Sequence, residues 1–196
     1  MKTDWLTTRE TKIYGSTWHR CIYSQVTNCQ YFSIPEFDII ELLSTANPWL
    51  DFLPASQAHT FASELNNDLE EYCSTSPSIA QLSLKRLYGF GLLPLVPEIS
   101  ISALLESVYQ IANLPHLRGL IMGTRGIGKG LDDGTLDPVW AAIEKAGLVV
   151  FLHPHYGVDA QAWGENNNGH VLPLALGFPF ETTTVSLPLL LFKPPV

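Results

Sequence analysis

Cysteine is scarce in this chain. Cys21, Cys29 and Cys73 are odd in number and scattered, with no CxxC spacing, so they read as reduced thiols of an intracellular protein, not a disulfide framework. Basic residues are also few. Eleven Lys and Arg stand against 19 Asp and Glu, giving a formal charge of −8; phosphate binding needs clustered Lys and Arg, so a nucleic-acid partner is excluded. No apolar stretch approaches the roughly 20 residues that cross a bilayer. The run Val185 to Phe192 is short and broken by Pro188. The opening MKTDWLTTRETK has no apolar segment of the secretory kind, and a cytoplasmic location is expected. Apart from His153-Pro154-His155, the histidines form no further HxH or HExxH cluster, and neither a GxSxG elbow nor a Ser-His-Asp set at recognisable spacing is present, so the residues alone assign no catalytic group.

What is present is a globular domain. At 196 residues and 46% apolar content, the chain is long enough for one domain with a core. Residues 1–36 show no clear period and are expected to form a divergent, poorly structured N-terminal segment; residues 37–192 carry the domain. FDIIELLST, from Phe37, fits a short helix or a strand. Ser56 is placed to cap a helix over about Gln57 to Cys73, with Phe61, Leu65, Leu69 and Tyr72 on one face. Leu87 to Leu95 reads as a buried strand. Pro97 and Glu98 open a helix to about Ala112. Leu117 to Met122 is a strand, Pro138 to Ala146 a helix ended by Gly147, and Leu148 to His153 a strand. Val171 to Phe192 holds one or two helices. Alternation of strands and helices at about 30-residue spacing means a parallel α/β sheet of right-handed βαβ units, either open or a piece of a barrel.

The run LVVFLHPHY, Leu148 to Tyr156, carries most information. It reads as a strand buried on both faces and stopped by Pro154. His153 then stands at the carboxyl end of a parallel strand, where such folds gather ligands, and neutral imidazole is the commonest protein metal ligand. The bland alternative is a packed, hydrogen-bonded histidine. GTRGIGKG, Gly123 to Gly130, nearly matches a phosphate loop, but Gly130 stands where Ser or Thr must hold magnesium. The better readings are a plain loop, or one whose Arg125 or Lys129 faces an anionic substrate. Thr182 or Thr183 could cap a helix beside Glu181. Trp49 is expected more to pack over a barrel mouth than to bind substrate. Asp132 and Asp133 read as solvated.

Three segments in order carry a resemblance: ANPWLDFL (Ala46 to Leu53), RGLIMGTRGIGKGLDD (Arg118 to Asp133), and FLHPHYG (Phe151 to Gly157) followed by GHVLPLALGFPFETT (Gly169 to Thr183). They resemble the amidohydrolase-related, metal-dependent decarboxylases of the aminocarboxymuconate-semialdehyde decarboxylase type, and within them the fungal isoorotate (uracil-5-carboxylate) decarboxylase branch. The resemblance implies a (β/α)₈ barrel of which about four or five βα units are present. It implies a divalent metal, usually zinc, and non-oxidative removal of carbon dioxide from an aromatic or heteroaromatic acid. By it, His153 is a metal ligand, and Asn47 and Trp49 match a motif beside the pocket; with Arg125 of the glycine-rich loop and His155, they are the candidates for the substrate side.

The family's first-strand His-x-His, its sixth-strand His-Ser-Gly motif and its late proton-donating aspartate find no match here. The expectation is a truncated barrel, weakly active or inactive alone, that binds metal poorly and exposes strand edges. It would be a homo-oligomer or an associate of a full-length relative. The rivals are a non-catalytic interaction protein, a hydrolase of the wider amidohydrolase group, and a nucleotide binder.

Overall fold

Four short apolar segments pair as one parallel sheet, β1 (Glu41–Ser44), β4 (Leu87–Leu92), β5 (Leu117–Gly123) and β6 (Val149–His153), in the order β1-β4-β5-β6. The computed structural model describes residues 40–45, 49–79, 84–127, 129–154 and 171–192, all within the unit Ile39–Val196. Between β1 and β4 lie helix α1 (Ala55–Ser74) and a small antiparallel pair, β2 (Ser78–Ile79) with β3 (Leu84–Lys85). Helix α2 (Ile101–Asn113) joins β4 to β5, and α3 (Asp137–Ala146) joins β5 to β6. After β6, a π-helical turn (Pro173–Gly177) leads into α4 (Phe178–Phe192).

Sheet neighbours follow chain order without reversal. With right-handed crossovers that progression sends α1, α2 and α3 to the same side of the sheet, as in a barrel and unlike a doubly wound sheet. The result is α/β, a curled parallel sheet forming part of a (β/α)₈ barrel. The helix side holds the core. A Cβ on Gly89 would lie 2.8 Å from Leu69 of α1, and one on Gly91 would lie 2.5 Å from Ile111 of α2, so both helices sit directly on the strand backbone. Leu65, Leu104, Val108, Leu120 and Ile143 are buried there.

Several element boundaries differ from expectation. Helix α1 begins at Ala55, with Pro54 extended before it (φ −66, ψ 153), so Ser56 lies inside the helix and caps nothing. Glu98 sits in the left-handed region at φ 64, which no helix residue adopts. Helix α2 therefore starts at Ile101, where Ser100 Oγ accepts from the Ala103 amide at 3.2 Å. Thr182 and Thr183 do not cap either. Their hydroxyls donate back one turn to the carbonyls of Phe178 and Pro179, inside a helix that has already begun. At α3 the expected punctuation is in place, with Pro138 in the first turn and Gly147 left-handed at φ 65.

The strand Val149–His153 is parallel, as expected, but it is not buried on both faces. It is the last strand of the described sheet, and Val149 and Phe151 are 58% and 41% exposed. A five-residue apolar run matches an interior strand and an edge strand equally well; only the neighbours decide.

Candidate active site

Side chains at i and i+2 share a strand face. Val149, Phe151 and His153 therefore project together, and the register places them beside Gly119, Ile121 and Gly123 of β5. A Cβ on Gly119 would meet the Phe90 ring at 2.7 Å, so Phe90 lies on that face too. This is the face away from the helices, the one a closed barrel turns inward.

His153 is the terminal residue of β6, at the carboxyl rim. Its Nδ1 lies 2.6 Å from the Pro154 carbonyl. A carbonyl only accepts, so Nδ1 carries a hydrogen; in the neutral imidazole Nε2 is then the nitrogen with the lone pair. Nε2 makes no hydrogen bond among the described residues. Two aromatic rings flank the imidazole edge-to-face, Trp49 at 5.6 Å and 88° and Phe151 at 5.8 Å and 83°.

Trp49 is only 5% exposed, and its Nε1 donates to the Thr45 carbonyl at 3.1 Å. It thus packs over the rim, as expected, while also lining a shallow, partly open cleft of about 370 Å³ with Asp51, Leu92, Gly123, Arg125 and Gly126. The cleft lies at the carboxyl ends of β1, β4 and β5. Thr124, buried beside it, donates its hydroxyl to the Glu181 carboxylate and ties α4 to the end of β5.

Of the five residues singled out in the sequence, the structure gathers His153, Trp49 and Arg125 at this rim; Asn47 and His155 lie outside the described residues. Sequence reading missed Phe151 as a neighbour of the imidazole and the Thr124–Glu181 tie. Alternation within β6 could have revealed the first, whereas nothing in the spacing announces the second. The phosphate-loop reading fails: no helix follows Lys129, the chain turns, and Gly134–Leu136 is only a 3₁₀ turn. Lys129 instead faces Asp133 at 3.9 Å, and Trp140 Nε1 pins the loop by donating to the Leu131 carbonyl at 3.0 Å.

His153 fits the part of a single imidazole ligand, with its tautomer set by a backbone acceptor. Among the described residues, however, no group of three or more His, Cys, Asp or Glu could hold a metal ion, and a tight site needs several. The described residues do not by themselves form a metal centre. Nor is any described helix long and apolar enough to cross a membrane.

Fold and rim together define a partial barrel of the amidohydrolase type. No protein-family model matches the chain. It is 31% identical over 145 residues to 2-amino-3-carboxymuconate-6-semialdehyde decarboxylase of Dictyostelium discoideum, covering 73% of this chain and 36% of that protein. It is 44% identical to the crystal structure of IDCase from Metarhizium anisopliae, with a TM-score of 0.69, covering 77% of this chain and 38% of that one. A 5-carboxyvanillate decarboxylase from Novosphingobium aromaticivorans, bound to manganese and a nitrobenzoic acid, shares the fold at 22% identity and a TM-score of 0.60, covering 78% of this chain and 41% of that one. In sequence and fold the chain resembles the amidohydrolase-related decarboxylases of the aminocarboxymuconate-semialdehyde decarboxylase type. It spans less than two fifths of the length of the first two relatives.

Proposed function

We propose that this chain contributes part of the site of a metal-dependent, non-oxidative decarboxylase acting on an aromatic or heteroaromatic acid, a pyrimidine-5-carboxylate or a phenolic acid. The observation that carries the reading is His153 at the carboxyl rim, its Nδ1 occupied by the Pro154 carbonyl and its Nε2 left as a donor atom. In the reaction the ring–carboxylate bond breaks, its electron pair stays on the ring carbon, and a proton takes the place of carbon dioxide. In this reading His153 supplies one ligand to a divalent ion, with zinc the expected one, and Arg125 offers a guanidinium to the substrate carboxylate. Asn47 and His155 belong to the same proposal, as do residues 37–192 as the barrel portion and a cytoplasmic location. The remaining ligands and the proton donor come from residues outside those described or from a second chain.

The test is zinc and manganese titration with carbon dioxide release from uracil-5-carboxylate and dihydroxybenzoates, comparing the protein with His153→Ala. His153→Ala is expected to lower metal affinity by roughly 10-fold or more and to abolish any metal-dependent release. Equal metal binding and equal turnover in the two proteins would overturn the reading.

A second reading has its own support. Leu42, Val149 and Phe151 expose apolar surface on the face away from the helices, as a non-catalytic partial barrel that docks a partner would. Absence of metal and turnover, together with a defined complex, would favour it.

A further inference from the structure

We propose that Trp49 and Phe151 are positioning residues that clamp the His153 imidazole in one orientation and one tautomer. In its purpose the clamp rests on the decarboxylase reading, but its geometry stands apart from it. A histidine χ2 is broad and nearly two-fold, so a ring at a strand end can turn over, putting a carbon where each nitrogen was. Here three contacts oppose that flip. The Pro154 carbonyl, on a residue whose φ is fixed, accepts from Nδ1 at 2.6 Å. The indole of Trp49 and the ring of Phe151 both stand nearly perpendicular to the imidazole, at 5.6 and 5.8 Å, distances at which edge-to-face pairs attract.

Each clamp residue is itself held. Trp49 Nε1 donates to the Thr45 carbonyl at 3.1 Å, and Phe151 rests against Phe90 of β4 at 5.7 Å. The sheet order puts β1 and β6 on opposite margins, yet one indole just beyond β1 touches the last residue of β6. Only a curled sheet brings those two strand ends under one ring, so the curl that shapes the rim also sets the imidazole. Turning the ring over would break the Nδ1 hydrogen bond and force the imidazole past both aromatic neighbours. In the neutral ring the clamp therefore leaves Nε2 as the one nitrogen available to an electrophile.

Nitrogen-15 NMR of histidine-labelled full-length protein tests this, with the His153 signals identified by their loss in His153→Gln. The wild-type protein should show a single Nδ1–H tautomer. Trp49→Leu and Phe151→Leu should each lose that pattern and give averaged tautomer signals, while Trp49→Phe, which keeps a ring, should largely restore it. His116, held by Glu70 at the opposite end of the sheet, reports whether the fold survives. If Trp49→Leu unfolds the chain, Phe151→Leu decides, because that side chain is half-exposed. An unchanged single tautomer in the folded leucine variants, or an Nε2–H tautomer in the wild type, would overturn the clamp. Zinc titration of the wild type judges the decarboxylase reading separately: a protein that binds no zinc but shows the clamped tautomer keeps this inference and loses that one.

Discussion

Asn66 shows how a single polar side chain can set a strand end. It is 1% exposed on α1, and its amide spans the backbone of Leu92, donating to the carbonyl at 3.1 Å and accepting from the amide at 2.7 Å. Leu92 closes β4 beside the cleft, so a core helix fixes the rim through this pair. Asn66→Ala leaves both backbone groups buried without partners and is expected to lower unfolding free energy by about 1–3 kcal/mol, measured in urea. Cys73 makes a second prediction. It is buried, and burial first, with the Glu70 carboxylate adding to it, pushes its thiol up from 9.0 to about 12. Below pH 9 the thiol is neutral in both folded and unfolded chains. As pH rises from 9 toward 12, only the unfolded chain releases the proton, so stability falls across that window. Alkaline denaturation series should show this fall, and Cys73→Ala should lessen it. If the two proteins decline in parallel, Cys73 is not its source.

At the scale of elements, what the sequence disclosed was whatever its own punctuation decides. Pro138 and Gly147 bracket α3 because one fixes φ at a helix start and the other tolerates left-handed backbone at its end. The apolar runs at Leu87 and Leu117 marked strands for the same local reason. The start of α2 was hidden because Pro97 resembles a helix opener, while Glu98 turns the wrong way and Ser100 does the capping. The two-residue strands β2 and β3 carry too few residues for any period to register. The site divides likewise. His153 was readable from a run ended by proline, but its aromatic neighbours depend on sheet curvature, which no single segment encodes. Gly119 is a further case: a Cβ there would approach the Val149 carbonyl to 2.2 Å and press on the Phe90 ring. Gly119→Ala is expected to force β5 from β6, to cost about 1–3 kcal/mol, and to weaken hydrogen-exchange protection in β6 before that in β4.

For the whole molecule, the decisive property is the uneven treatment of the two faces of the sheet. One face is sealed by three helices. On the other, Leu42, Val149 and Phe151 meet water, with β1 and β6 as margins of the described sheet. Exposed apolar surface next to strand margins promotes association. Sedimentation velocity should find self-association that grows with concentration. Phe151→Lys, a charge placed on an exposed strand, should reduce it without lowering the melting temperature. A monodisperse protein with a sharp, concentration-independent melt would contradict this picture.

Each strand of the sheet lies next to the one made just before it, with β2 and β3 set aside as a separate ribbon. Two of the three pairings, β4 with β5 and β5 with β6, therefore close over a single helix and its turns, and β1 with β4 closes over α1 and that ribbon. Closure entropy grows only slowly with loop length, so pairing with the preceding strand is the least costly route a parallel sheet offers. The chain can lay down its layers in the order in which translation delivers them, α1 docking while β5 and β6 are still being synthesised. In that order His153, on the last strand of the described sheet, would be placed after the strands before it.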